Sequence, residues 1–117
     1  MLKKINIVKK NTEFSRIIGL KRSYANNCFV VNYDINSLNI PKFGISVSKK
    51  LGNAVVRNKI KRQVKNIIDT NKKVYQNNLN YIIIVRQGAV VTTYQEKERA
   101  LIELFNKIKE KCNEEKK

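Results

Sequence analysis

Apolar positions Val56, Ile60, Val64 and Ile67 recur at spacings of three to four residues. At about 100° per residue they share one face of a helix, and Arg57, Asn58, Lys61, Arg62 and Lys65 fall on the opposite side. Asn53 suits the N-cap of that helix, Gly52 frees the backbone just before it, and the pattern lasts to about Asp69 or Thr70. Upstream, Phe43-Gly44-Ile45-Ser46-Val47-Ser48 alternates with period two and predicts a half-buried strand. Cys28-Phe29-Val30-Val31-Asn32-Tyr33 is β-branched and aromatic and predicts another strand. Tyr81-Ile82-Ile83-Ile84-Val85 is apolar without alternation, as expected of a central strand covered on both faces. A first helix is predicted from about Asn11, its cap, to Ile18, with Phe14, Ile17 and Ile18 as its stripe and Gly19 as its stop. Thr93-Tyr94-Gln95-Glu96 has the form of a capping box. It opens a last helix with Leu101, Leu104, Phe105 and Ile108 on one face, and the tail from about 112 to 117 is expected to fray. Lys21-Arg22-Ser23 and residues 34–41 and 71–80 connect these elements as loops. The order α-β-β-α-β-α predicts an α+β fold, and no repeat divides residues 1–117, so one domain is expected.

Charge sharpens the picture of the central helix. From Lys49 to Lys65 there are seven basic residues and no acidic one. A run of charge is most often just a solvated helix face. The missing acidic partners and the asparagines interleaved among the cations favour a surface that meets a polyanion instead. Arg57 and Arg62 can fork onto phosphate oxygens, whereas Lys59, Lys61 and Lys65 act as mobile point charges. Asn53 and Asn58 add neutral hydrogen-bonding groups suited to sugars, phosphates or a hydrated metal ion. The whole chain leans the same way, with 25 Lys and Arg against 9 Asp and Glu and a net charge of +16. Such an excess opposes compaction by self-repulsion, and a counter-charged partner relieves it. With 42% hydrophobic residues and one Pro the composition is globular.

Catalytic chemistry finds little support. The chain has no histidine, no Gly-rich phosphate loop, no Cys/His spacing for a metal and no Ser or Cys nucleophile beside a base. Glu96, Glu98 and Glu103 lie near Lys97, Arg99 and Lys107 at the spacing of ordinary solvated helix pairs. Cys28 and Cys112 are expected as free thiols in a reducing cytosol. No segment has the roughly 18 apolar residues of a membrane span, and the basic N-terminus lacks the apolar core of a signal peptide. A cytoplasmic location without membrane association follows. DNA binding lacks a helix-turn-helix before the basic helix, and a membrane-surface role would need the apolar stripe that the core requires. A general RNA-binding or ribosome-associated module remains the principal alternative to a more specific RNA partner. Phe14, Phe29 and Tyr33 suit either base stacking or core packing.

The run from Phe43 to Arg62, Phe43-Gly44-Ile45-Ser46-Val47-Ser48-Lys49-Lys50-Leu51-Gly52-Asn53-Ala54-Val55-Val56-Arg57-Asn58-Lys59-Ile60-Lys61-Arg62, closely resembles the signature of the bacterial ribonuclease P protein subunit. The resemblance extends to Lys9-Lys10-Asn11 with Phe14 upstream and to Tyr81-Ile82-Ile83-Ile84-Val85-Arg86-Gln87 downstream. It implies a two-layer α/β sandwich whose basic helix lies in a left-handed βαβ crossover, against the usual right-handed rule. It also implies a ribonucleoprotein endonuclease in which the RNA subunit is the catalyst. Mg2+, bound mainly by that RNA, assists removal of the 5′ leader from precursor tRNA. The implied partners are the catalytic RNA and precursor tRNA, with no protein partner. The implied RNA-docking set is Lys49, Lys50, Asn53, Arg57, Asn58, Lys59, Lys61, Arg62 and Lys65, with Lys59 where the family commonly carries Arg. The implied leader cleft takes Phe14, Ile18, Phe29, Tyr33 and Arg86. Ile18 stands where many relatives have a second aromatic, and Asn32 aligns with a usual Tyr.

Overall fold

The computed structural model describes residues 16–19, 22–35, 40–75 and 78–115, with side chains through Cys112. Residues 16–19 are helical and form α1. The chain continues through Ser23–Ala25 (β1), Phe29–Ile35 (β2), Lys42–Ser46 (β3), Ala54–Thr70 (α2), Leu79–Val85 (β4) and Tyr94–Glu115 (α3). Short 3-10 turns at Lys49–Leu51 and Gln87–Ala89 lead into α2 and follow β4. The four strands form one sheet in the order β1-β2-β4-β3. β4 is central, antiparallel to β2 and parallel to β3, so β3-α2-β4 is a parallel crossover.

Strand pleating divides the sheet into two faces. Phe29, Val31 and Tyr33 of β2, Phe43 of β3, and Leu79, Tyr81, Ile83 and Val85 of β4 are buried in one core. That core is completed by Ile60, Val64, Ile67 and Ile68 of α2 and by Leu101, Leu104, Phe105, Ile108 and Cys112 of α3. Aromatic rings hold its middle: Phe43 stacks on Tyr81 at 5.3 Å, and Phe105 meets Tyr81 edge-on at 5.0 Å. The other face carries a smaller cluster, Ile17 of α1 packed with Ile82 and Ile84 of β4. The sheet and the α2/α3 layer thus form the expected two-layer α+β arrangement, and α1 lies on the far side.

Two local expectations are corrected, and a third falls partly outside the described residues. Ser23, expected in a loop with Lys21 and Arg22, opens the strand Ser23–Ala25, which pairs antiparallel with β2, Tyr24 opposite Val31. The hairpin is set by Asn26, whose Oδ1 accepts from the Cys28 and Phe29 amides at 3.0 Å while its Nδ2 donates to the Ala100 carbonyl at 2.9 Å. Cys112 is a core residue, because it lies one helical step of four beyond Ile108 and the helix persists to Glu115. The first helix cannot be traced to its predicted start, since Asn11 and Phe14 lie outside the described residues.

Gly88 marks where the turn after β4 closes on the β1–β2 hairpin. A Cβ there would lie 2.3 Å from the Asn27 carbonyl oxygen, a backbone atom with little room to yield. Gly88→Ala is expected to lower unfolding stability by about 1–3 kcal/mol in urea titration, the usual range for overpacking. Wild-type stability in that variant would contradict this close approach.

Candidate nucleic-acid interface

The cationic surface begins in the link between β3 and α2. Ser48 Oγ accepts from the Lys50 amide at 3.2 Å and caps the 3-10 turn that displays Lys49 and Lys50. Gly52 follows with φ 155° and ψ −177°, a conformation that side-chain-bearing residues adopt only under strain. Asn53 is the N-cap of α2, as its sequence position predicts, and its Oδ1 accepts from the Val56 amide at 3.0 Å. No acidic residue stands in the first turn of α2, so the positive end of the helix dipole adds to the side-chain charge.

Ile60, Val64, Ile67 and Ile68 bury the inner face of α2, with Val56 partly buried above them. This anchors the helix and turns the rest outward. Lys49, Lys50, Asn53, Asn58, Lys59, Arg62 and Lys65 are exposed. Arg57 and Lys61, expected on the side opposite the apolar stripe, are half-buried at its edge, because about 100° per residue brings both close to Val64. Arg57 is held by its own turn, its Nε donating to the Gly52 carbonyl at 3.2 Å. Among the described residues the ion pairs are Arg16–Asp34, Lys72–Asp69 and Lys107–Glu103, and none involves a cation between Lys49 and Lys65. The structure therefore collects the whole predicted docking set along one connected stretch of turn and helix, with no acid paired to it among the described residues.

Sequence reasoning missed Lys97. It is not a solvated helix cation: it is 4% exposed, and its Nζ donates to the Thr92 carbonyl at 2.6 Å. Burial lowers the amine's pKa below the usual lysine value, with the Lys59 charge pushing the same way and Cys28 and Glu96 opposing it. The signal was present, since Lys97 lies four residues before Leu101 on the apolar stripe of α3. Glu98 also departs from the expected lysine pairing and accepts from Asn71 Nδ2 at 3.1 Å, while Glu103 and Lys107 form the simple helix pair at 3.2 Å.

The residues assigned to a leader cleft separate. Phe29 and Tyr33 are 0% and 4% exposed and point into the α2/α3 core, where no base could reach a ring face. Their assignment to a cleft is corrected on that ground. Asn32, of opposite parity on β2, falls on the α1 face opposite Ile82 in register and is itself only 5% exposed. Ile18 is 42% exposed beside buried Ile17. Across this face Arg16 Nη1 donates to Asp34 Oδ2 at 2.7 Å, which neutralises the carboxylate there. Arg86 is exposed at the end of β4, its Nη1 donating to the Asn26 carbonyl at 3.0 Å. Phe14 lies outside the described residues.

Among the described residues no group of three or more His, Cys, Asp or Glu side chains could hold a metal ion. Nor is any helix among them long and apolar enough to cross a membrane. Comparison with known proteins agrees in one direction. The family model described as Ribonuclease P matches residues 2–109. The ribonuclease P protein component of Mycoplasma mycoides subsp. mycoides is 40% identical over 109 residues, covering 92% of this chain and all of the relative. A Staphylococcus aureus RNase P protein mutant with defective mRNA degradation activity superposes with a TM-score of 0.84 at 38% identity, covering 91% of this chain and 90% of that one. The RNase P protein of Thermotoga maritima superposes with a TM-score of 0.80 at 27% identity, over 86% and 94% of the two chains.

The Asn53 cap makes the exposed start of α2 testable. Asn53→Ala should cost about 1 kcal/mol of unfolding free energy by chemical denaturation. No measurable loss would show that the cap does not define this terminus.

Proposed function

The chain belongs to the ribonuclease P protein family, components of an endoribonuclease that processes tRNA, and from that premise we propose that it is a non-catalytic RNA-binding subunit of the holoenzyme. The acid-free cationic face of α2 carries this proposal. Lys49, Lys50, Asn53, Arg57, Asn58, Lys59, Lys61, Arg62 and Lys65 dock the catalytic RNA, with Arg57 and Arg62 forking onto phosphates and the lysines adding charge. The protein offsets the phosphate repulsion that opposes close approach of the catalytic RNA and precursor tRNA. Mg2+ can supply part of the same neutralisation, so the subunit lowers the Mg2+ concentration that cleavage requires. Hydrolysis of the leader bond takes place on the RNA, which holds the Mg2+.

Contact with the 5′ leader is the second part of the proposal. The α1 face of the sheet supports it better than the core face, because the exposed Ile18 lies there and Asp34, the carboxylate described on that face, is paired with Arg16. Phe14, on the same predicted helix, supplies a stacking surface to an unpaired base. Leader contacts stabilise bound precursor over mature product, since only the precursor has a leader.

Single-turnover cleavage of a precursor tRNA by a bacterial ribonuclease P RNA at low Mg2+ tests the first part. The protein should stimulate cleavage strongly and show none alone. Replacing Arg57 and Arg62 together by Ala should shift the Mg2+ requirement upward; cleavage by protein alone, or no stimulation with a well-matched RNA, would overturn the proposal. Phe14→Ala tests the second part. It should weaken binding of precursor tRNA to the holoenzyme more than binding of mature tRNA, by about five- to a hundredfold as expected for one stacked base. Equal losses for both would remove the cleft assignment.

A further inference from the structure

An arginine on a solvated helix face samples many rotamers, and ordering it on a phosphate opposes binding by its lost freedom. Arg57 does not begin from that state. Its Nε is already bonded to the Gly52 carbonyl, five residues earlier, and its stem is half-buried beside Val56. A guanidinium has donors on two edges. Engaging the Nε hydrogen on the main chain leaves the terminal Nη1/Nη2 edge for a phosphate.

The acceptor exists because of the turn before the helix. Gly52 has φ 155°, and a Cβ at that position would approach Val56 Cγ1 to 3.0 Å and Cβ to 3.1 Å. Two independent features, the backbone angle and the contact with Val56, therefore strain any side chain placed here. The same turn places the Asn53 cap, so the carbonyl that holds Arg57 and the helix start are built together.

We propose that Gly52 is a positioning residue for RNA recognition, its main-chain carbonyl fixing the Arg57 guanidinium so that the terminal edge is presented before RNA arrives. This rests on the assignment of α2 as the RNA-docking helix. Arg62, exposed one turn and a residue later, has no such bond among the described residues and represents the unrestrained case.

The test is a double-mutant cycle on affinity for a bacterial ribonuclease P RNA, with Gly52→Ala, Arg57→Ala and the pair, each checked for folding by thermal denaturation. Gly52→Ala should weaken binding about three- to tenfold when Arg57 is present, the range expected for losing one pre-ordered side chain. In the Arg57→Ala background it should change affinity by less than about twofold, because there is no guanidinium left to hold. Equal losses in both backgrounds would assign Gly52 a purely structural role and overturn the proposal. Weaker binding from Arg57→Ala with none from Gly52→Ala would overturn the positioning alone. Unchanged binding by Arg57→Ala would remove Arg57 from the RNA interface and the positioning with it.

A measurement on the unsubstituted protein decides the matter should Gly52→Ala not fold. In the free protein the Arg57 Nε–H should exchange with water more slowly than that of Arg62 by NMR. Equal exchange rates would overturn the proposal.

Discussion

The burial of Ile60, Val64, Ile67 and Ile68 against the sheet governs where this protein can put its charge. A chain of net charge +16 cannot spread its cations evenly and also rely on local ion pairs, because acidic residues are too few. The apolar stripe of α2 resolves this by geometry. It fixes the rotation of the helix, and the rotation sends Asn58, Lys59, Arg62 and Lys65 outward while Arg57 and Lys61 flank the seam. The parallel β3-α2-β4 crossover then delivers the helix from the turn that displays Lys49 and Lys50. Fold and interface are thus one construction, and disrupting the stripe would move every cation on the helix.

Much of this was legible in the sequence. The stripe of α2 and the unbroken apolar run of β4 gave their own placements, because long periodic or uniformly apolar segments leave few alternatives. The Asn53 cap was equally plain, and so was the Thr93 cap, whose Oγ1 accepts from the Glu96 amide at 3.2 Å. Other features were hidden for physical reasons. β1 has only three residues, too few for a period, and it exists through pairing with β2. On β2, Asn32 and Tyr33 are adjacent, so the strand pattern alone cannot say which of them enters the core. The register with β4 decides it, setting Tyr33 opposite Tyr81 in the core and Asn32 opposite Ile82 on the other face. Lys97 and Cys112 were obscured by polar neighbours, although both continue the spacing of Leu101, Leu104 and Ile108. The bond from Arg57 to the Gly52 carbonyl depends on a backbone angle that no residue pattern encodes.

The candidate interface offers groups suited to docking a polyanion. Its side chains are guanidinium, ammonium and amide groups, which offer charge and hydrogen-bond donors to phosphates. Lys97, a buried titratable group of α3, is turned inward to the Thr92 carbonyl. Under the proposed function, with chemistry supplied by an RNA partner and charge supplied by the protein, both the excess of cations and the sparse acidic residues are expected. The proposed function divides the work between two faces: the outer side of α2 for the catalytic RNA, and the α1 side of the sheet for the unpaired leader.

The central claim, that the α2 face acts by neutralising RNA phosphates, is tested most directly by the salt dependence of binding to a bacterial ribonuclease P RNA. Counterion release predicts a steep linear fall of log affinity with log salt, the slope growing by about 0.7 to 0.9 for each phosphate neutralised. Arg62→Ala should reduce that slope by about one such increment. A substitution of Lys107, which pairs with Glu103 on α3, should leave it unchanged. A shallow slope, or one that falls equally for both substitutions, would contradict the account.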